Sequence, residues 1–157
     1  MSITRTRSTT VNAAFLRDIK DDNQELKRLF DHLGSLTFHP QMAINHWDEL
    51  VATMDQLVDQ VAMHFALEEA YGYFDNAIEV AVQLSKRSEM LRDQHATLFE
   101  KLVDLDRRIS DLSPERPEKI AAWLKDFKHF NFEFARHEEA EIRLILSAID
   151  DDLGVGD

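Results

Sequence analysis

Apolar residues recur along the chain at spacings of three and four, the period of an amphipathic α-helix. The period continues through four segments, near residues 11–33, from 40 or 44 to 73, 77–109 and 114–149. We find no convincing stretch in which apolar and polar residues alternate in the manner of a half-buried strand. The chain contains only 4 Gly and 3 Pro, a composition that favours long uninterrupted helices. The pattern therefore predicts an all-α protein.

Turn signals separate the four predicted helices. Gly34 ends the first helix, "SLTFHP" forms the next connection, and "YGYFDN" at 71–76 predicts a turn or sharp kink. Ser113 before Pro114 predicts an N-cap with proline at the first helical position. Four amphipathic helices with mostly short connections pack most simply as an antiparallel up-down-up-down four-helix bundle. We expect this bundle over residues 11–150, with flexible tails at 1–10 and 151–157, the second of them acidic.

Polar side chains interrupt three of the predicted apolar faces. The second helix carries His64 and Glu68 there, the third carries His95, and the fourth carries His137 and Glu141. Residues four apart are neighbours on one helix face, so each His-x-x-x-Glu pair can present a nitrogen and an oxygen to one point. All three interruptions fall near the middle of the predicted bundle. We therefore expect three imidazoles and two carboxylates in one buried layer.

The other histidines serve as a comparison, because they lie on polar faces or in a connection. These are His32, His39, His46 and His129. A single histidine on an apolar face is most simply a core histidine hydrogen-bonded to a glutamate. Five buried polar groups in one layer would cost several kcal/mol without compensation, and a metal cation supplies it. Nitrogen and oxygen donors without cysteine indicate iron first, with manganese and zinc as alternatives.

Composition excludes several other classes of protein. The formal net charge of −12 argues against nucleic acid as a partner. No apolar run approaches the roughly 20 residues that a membrane span needs, and the first twelve residues lack the apolar core of a secretory signal. The absence of cysteine rules out disulfides and fits the cytoplasm, where we expect the protein to reside.

Three segments carry a resemblance to a known family. These are "HFALEEAYGYF", "LRDQHATLF" and "ARHEEAEIRLI", and with them the chain resembles the hemerythrin-like family, also called the HHE cation-binding domain, over about residues 12–150. In that family two irons are bridged by carboxylates. The resemblance implies a di-iron cofactor with terminal ligands His64, His95 and His137 and with bridges Glu68 and Glu141.

The first helix departs from the family pattern. The family segment resembles "DH-x-E-L-x-x-L", whereas this chain reads "DNQELKRLF" from Asp22. Asn23 stands where the histidine belongs, on a face expected to point inward with Ile19 and Leu26. An asparagine offers iron only a neutral carbonyl oxygen, so Asp22 or Asp18 is the alternative donor. One of the two irons is therefore expected to be weakly held or absent.

The resemblance implies a non-haem iron protein that binds or senses a small diatomic molecule such as dioxygen or nitric oxide, or senses iron. Two alternatives remain open at this point. One is an iron-dependent oxidase or ferroxidase that consumes dioxygen or peroxide at the same metals. The other is a metal-free helical interaction module. We expect a binding protein in preference to an enzyme.

Overall fold

The computed structural model describes residues 2–70 and 82–155, with side chains described within 17–69 and 86–147. Over these residues the chain forms helices and connections without strands, which confirms the all-α prediction. The helices are α1 (Ser2–Leu36), α2 (Pro40–Asn45), α3 (Trp47–Ala70), α4 (Val82–Asp111) and α5 (Pro117–Val155). None of the described helices combines the length and apolarity needed to cross a membrane.

The two terminal helices are longer than the apolar period predicts. α1 begins at Ser2, whereas the period begins near Val11, and α5 continues to Val155. The residues expected as an N-terminal tail therefore lie almost entirely in α1, and most of those expected as a C-terminal tail lie in α5. Residues 2–10 contain neither Gly nor Pro, so nothing in their backbone chemistry ends the helix where its apolar face ends.

The predicted second helix is divided into α2 and α3. His46 separates them with φ −123° and ψ 38°, while its backbone N–H still donates to Met42 O. His39 caps α2, because its Nδ1 accepts from the Gln41 backbone N–H at 3.2 Å. The short α2 contacts α1, α3 and α5. The predicted turn at 71–76 and the predicted helix start at residue 77 lie outside the described residues.

The connection between α4 and α5 differs from the prediction by three residues. Ser113 does not cap a helix; its Oγ accepts from the Glu115 backbone N–H at 3.3 Å within a turn. The helix begins at Pro117, and the Arg116 carbonyl accepts the first helical hydrogen bonds. Proline does occupy the first helical position, where its missing N–H costs nothing, but the residue is Pro117 instead of Pro114.

In the contacts between successive long helices, a higher residue number on one helix goes with a lower residue number on the other. His32 of α1 bonds Glu49 at the start of α3, whereas Asp22 accepts from Gln60 nearer its end. The same reversal occurs between α4 and α5, where the ion pairs are Lys101 with Glu133 and Arg108 with Asp126. The helices therefore place residues from distant parts of the sequence at common levels.

The apolar core fills the molecule from the α2 end up to the polar layer. Along α3 it comprises Leu50, Met54, Leu57 and Val61, each fully buried, and the next inward position is His64. Trp123 of α5 is fully buried in this core, and its indole N–H donates to the Leu105 carbonyl at 2.9 Å. Close packing of this core supports the polar layer on the side that faces α2.

Candidate metal centre

The polar layer contains the five side chains that interrupt the apolar faces. Each is at most 5% exposed, although each is polar or charged; they are His64, Glu68, His95, His137 and Glu141. They come from three helices, α3, α4 and α5, because the apolar positions on either side of them fix which face of each helix turns inward. The predicted convergence of three imidazoles and two carboxylates is therefore present in the structure.

Each of the three histidines forms a hydrogen bond through Nδ1, which we call its outer nitrogen because the other nitrogen, Nε2, faces the glutamates of the layer. The Nδ1–H groups donate to acceptors on neighbouring helices: His64 to Asp22 Oδ2 at 2.5 Å, His95 to Glu69 Oε1 at 3.2 Å, and His137 to Gln94 Oε1 at 2.8 Å. An acceptor at Nδ1 fixes the tautomer and the ring orientation. All three rings can consequently offer the Nε2 lone pair to a metal.

The three Nε2 atoms face the glutamates of the layer. His64 Nε2 lies 2.5 Å from Glu68 Oε1 and 2.7 Å from Glu138 Oε1. His95 Nε2 lies 3.0 Å from Glu141 Oε1 and 3.3 Å from Glu68 Oε2, and His137 Nε2 contacts Glu141 Oε1 directly. Nitrogen and oxygen donors from different helices thus lie at the separations found around a shared cation.

Several of these buried donors lack a hydrogen bond despite their close neighbours. Both carboxylate oxygens of Glu68 and the Nε2 of His137 are buried without a hydrogen-bond partner. A buried polar atom that is left unpaired costs about 1–3 kcal/mol. These unpaired atoms lie close together in the layer, and each is able to offer a lone pair. This is the arrangement that a metal ion would satisfy.

The donors form two overlapping groups of four. The first is Glu68, His95, His137 and Glu141, and the second is His64, Glu68, Glu138 and Glu141. Within each group the donor atoms all lie within 4.8 Å of one another. Glu68 and Glu141 belong to both groups. The two groups of donors therefore overlap at these two carboxylates, and each group could hold a metal ion.

Glu138 is the residue of this site that the sequence analysis missed. It follows His137 directly, to one side of the face that carries His137 and Glu141, and its side chain is 28% exposed. It reaches across to α3 and meets the inner nitrogen of His64. The signal that would have found it is the spacing of Phe134, Glu138 and Glu141, which are separated by four and then three residues.

The expectation that Asn23 points inward is wrong. Asn23 is exposed, whereas Asp22 is only 5% exposed. The buried face of α1 runs through Asp22, Leu26, Leu29 and Leu33, with spacings of four, three and four. A spacing of four residues before Leu26, instead of three, brings Asp22 into the molecule.

Asp22 lies behind His64 and outside both donor groups. Its Oδ2 accepts from His64 Nδ1, and its Oδ1 accepts from the Gln60 amide at 2.7 Å. Asp18, one turn earlier, belongs to neither of the donor groups found among the described residues. Within the described side chains, α1 therefore supports the layer without supplying an inner donor.

Neighbouring groups shift the pKa values of the layer's side chains strongly. Burial lowers the pKa of His64, but Asp22, Glu138 and Glu68 around it raise that pKa to about 12. Burial raises the pKa of Glu141 to about 8, and its neighbour Glu68 adds to the rise. A metal that binds here replaces these protons, because its ligands must be deprotonated.

Aromatic rings pack against the histidines of the layer. Phe65 stacks on His95 with ring centroids 4.0 Å apart and meets His137 edge-on at 5.9 Å. Phe134 lies 6.1 Å from the His64 ring. These rings fix the imidazoles and keep water from their faces.

Among the described side chains, two cavities adjoin the layer on different sides. The first, which we call the α1–α5 cleft, has a volume of about 200 Å³, and its lining includes Asn23, Ile142 and the inner carboxylates Glu68, Glu138 and Glu141. Because Asn23 and Ile142 are exposed, the cleft leads from solvent to the donors. The second, of about 350 Å³, touches His137 beside Gln94, at the outer nitrogen of the ring.

The remaining histidines lie away from the layer, as the sequence predicts. His32 bonds Glu49 at 2.8 Å, His129 is largely exposed beside Glu133, His46 separates α2 from α3, and His39 caps α2. The separation of the seven histidines into three buried and four peripheral residues therefore holds.

Comparison with known proteins agrees with this geometry. The model of the family described as hemerythrin HHE cation binding domain matches residues 14–150, which include every residue of the polar layer. No curated protein and no solved structure matches the chain.

Proposed function

We propose that this chain, which belongs to the hemerythrin HHE cation-binding domain family, binds two iron ions in its buried layer. The observation that supports this most directly is the sharing of Glu68 and Glu141 between two groups of four donors. His95 and His137 are the terminal ligands of one subsite, and His64 is the terminal histidine of the other. The residues present fit such a pair, because Glu68 and His137 otherwise leave buried donors unpaired.

The donor set suits iron, the metal that we propose. Imidazole nitrogen and carboxylate oxygen suit iron and manganese, and the chain has no cysteine thiolate to select a softer metal. Three carboxylates near the two positions also offset part of the charge of two divalent cations. Manganese and zinc remain chemically compatible. Elemental analysis of protein purified without added metal would decide among the three.

We also infer that the long helices form an antiparallel up-down-up-down four-helix bundle with α2 across one end. The reversed pairing of residues between α1 and α3 and between α4 and α5 supports it, and so does His95 of α4 meeting Glu69 of α3. In this arrangement the layer lies between all four long helices. The α1–α5 cleft is then the opening between the first and the last.

The proposed role is the binding or sensing of a small diatomic molecule, dioxygen or nitric oxide. Bound iron would supply the redox-active coordination position for such a ligand. The chain itself supplies the terminal and bridging donors, the Nδ1 acceptors that fix each histidine, and the Phe65 and Phe134 rings that exclude water. The α1–α5 cleft, at about 200 Å³, is large enough to admit a diatomic molecule to the inner carboxylates.

A second function has one observation in its favour. Glu138 raises the number of carboxylates at the layer from two to three, and oxygen donors are the ligands that harder, more oxidised metal ions prefer. An oxidase or ferroxidase that consumes dioxygen or peroxide would benefit from that change. The binding and oxidase functions use the same residues and differ in whether the oxygen is released unchanged or consumed.

One experiment separates these functions. The full chain is loaded with Fe(II) without oxygen, desalted and exposed to air while its visible spectrum and oxygen consumption are recorded. A stable spectrum that reverses on removing oxygen supports binding. Rapid Fe(II) oxidation with continued oxygen consumption supports the oxidase. Failure of the protein to take up iron or any other metal would overturn the metal centre and leave a helical interaction module.

A further inference from the structure

The two subsites differ in the source of their donors. One has two imidazoles of its own, from His95 and His137, in addition to the shared glutamates. The other has one imidazole, from His64, because the described part of the inward face of α1 carries an aspartate and leucines and no histidine. The His64 subsite therefore needs either a donor from another helix or a carboxylate from α1.

Glu138 lies where such a donor is needed. Its Oε1 is 2.7 Å from His64 Nε2, on the side of the ring that faces the layer. The same residue forms a group of four with His64, Glu68 and Glu141. With Nδ1–H directed at Asp22, the Nε2 lone pair of His64 and Glu138 Oε1 face the same position and could both bind one cation.

Asp22 lies on the opposite side of the same ring. Its Oδ2 accepts from Nδ1 of His64 at 2.5 Å, and the Gln60 amide occupies its other oxygen at 2.7 Å. With both oxygens engaged behind the ring, Asp22 acts on a metal only through His64. A carboxylate at this position fixes the imidazole and raises its basicity as a ligand.

We propose that α1 supplies no metal ligand, that Glu138 of α5 is the ligand that completes the His64 subsite, and that Asp22 is a positioning residue for His64. This inference rests on the proposed metal centre and assigns the roles within it. Glu138 of α5 thus takes the place of the ligand that α1 lacks, and Asp22 of α1 orients His64.

The first test compares Glu138 with its exposed neighbour. Glu138→Ala, Glu138→Gln, Glu139→Ala and the unchanged protein are loaded with excess Fe(II) without oxygen, desalted and analysed for iron per chain. Glu139 is a matched control, since it lies on the surface and pairs with Arg143 at 2.7 Å. We expect two irons in the unchanged protein and in Glu139→Ala. Both Glu138 variants should hold about one.

Outcomes of this test separate the two proposals. Two tightly held irons in Glu138→Ala would overturn the ligand role of Glu138 and leave the metal centre intact. No iron in the unchanged protein would overturn the metal centre itself. Circular dichroism of each variant checks that the helices are retained, and Glu138→Gln keeps the side-chain volume in case the alanine variant does not fold.

The second test asks whether Asp22 is a positioning residue or a ligand. Asp22→Asn and Asp22→Ala are titrated with Fe(II) beside Asp21→Asn, an exposed neighbour on α1. A positioning residue weakens binding of one iron by about 10–100-fold while two irons still bind at saturation. Asp22→Asn keeps an acceptor for Nδ1, so its loss should be smaller than that of Asp22→Ala.

A merely structural role would lower the unfolding temperature without a selective loss at one iron. That result, or an unchanged affinity in Asp22→Ala, would overturn the positioning role. Loss of one iron at saturation in Asp22→Ala, with Glu138→Ala still binding two, would show that α1 does supply the ligand.

Discussion

Individual side chains of the polar layer should decide metal content, and the seven histidines provide matched comparisons. His95→Ala and His137→Ala each remove a ligating nitrogen from the same subsite, so each should lose about one of the two irons, while the subsite of His64 keeps its donors. His46→Ala and His129→Ala alter exposed rings outside the layer and should leave the iron content unchanged. Elemental analysis after anaerobic loading measures the difference. If all four variants bound equal amounts of iron, the buried histidines would not be metal ligands.

The exposure of Asn23 gives a prediction about the residue that differs from the family pattern. On an inward face, Asn23→His would supply a missing nitrogen and strengthen the second iron. Because the side chain is exposed at the mouth of the α1–α5 cleft, we expect Asn23→His to leave iron stoichiometry unchanged. A rise in tightly bound iron in this variant, measured by the same titration, would show that the cleft lets a histidine reach the metals.

The predictions at the residue scale succeeded where apolar neighbours fixed the helix face. His64 follows Leu57 and Val61 on an unbroken apolar face, so its inward orientation had one solution. On α1 the inward residue before Leu26 could lie three positions earlier, which is Asn23, or four positions earlier, which is Asp22. Glu138 was missed because a sequence pattern of His-x-x-x-Glu shows only donors on one helix and not the partner across the layer.

A contact between acidic side chains of α3 and α4 gives a prediction about how the stability of the protein depends on pH. Burial, the contact with Asp55 and the charge of Asp59 raise the pKa of Asp106 from 3.8 to about 7. The folded protein therefore binds this proton more tightly than the unfolded chain. The stability that the proton contributes is full at low pH and is lost as the pH rises from about 4 to 7.

Asp106→Asn should consequently stabilise the protein above pH 7. The amide carries no charge and can donate to Asp55, so we expect a gain of no more than about 1–2 kcal/mol, since the site is partly exposed and screened. Thermal unfolding at several pH values measures it, and the gain should shrink towards pH 4. Asp104→Asn, which alters the exposed pair with Arg108, is the control. A gain independent of pH would contradict the proposed titration.

Helix ends were the least predictable feature at this scale. A break of one residue at His46 leaves the apolar period almost undisturbed, because Ala43 before it and Leu50 after it are both buried. At the start of α5 two prolines compete, and either satisfies the rule for the first helical position. The helix interiors were predictable because burial of an apolar face sets them, whereas local hydrogen bonds set the ends.

For the whole molecule, metal binding and folding should be coupled. The chain carries a net charge of −12, and the layer concentrates three glutamates in its interior. A cation that binds only the folded state at about 100 times its dissociation constant adds about 2.7 kcal/mol of stability. For a chain of this size that corresponds to a rise in Tm of roughly 5–11 °C. Anaerobic thermal unfolding with Fe(II) and with a chelator tests it, and an unchanged Tm would argue against a buried site.

The α1–α5 cleft also sets the order in which metals would leave. It is lined by His64, Glu138 and the shared carboxylates, whereas of the layer's side chains the other cavity touches His137. A chelator should therefore remove the iron of the His64 subsite quickly, and the second iron should depart slowly, after the first position is empty. Stopped-flow release should show two phases of equal amplitude, and Ile142→Trp at the mouth should slow both. The protein would then exchange its metals in sequence through this cleft.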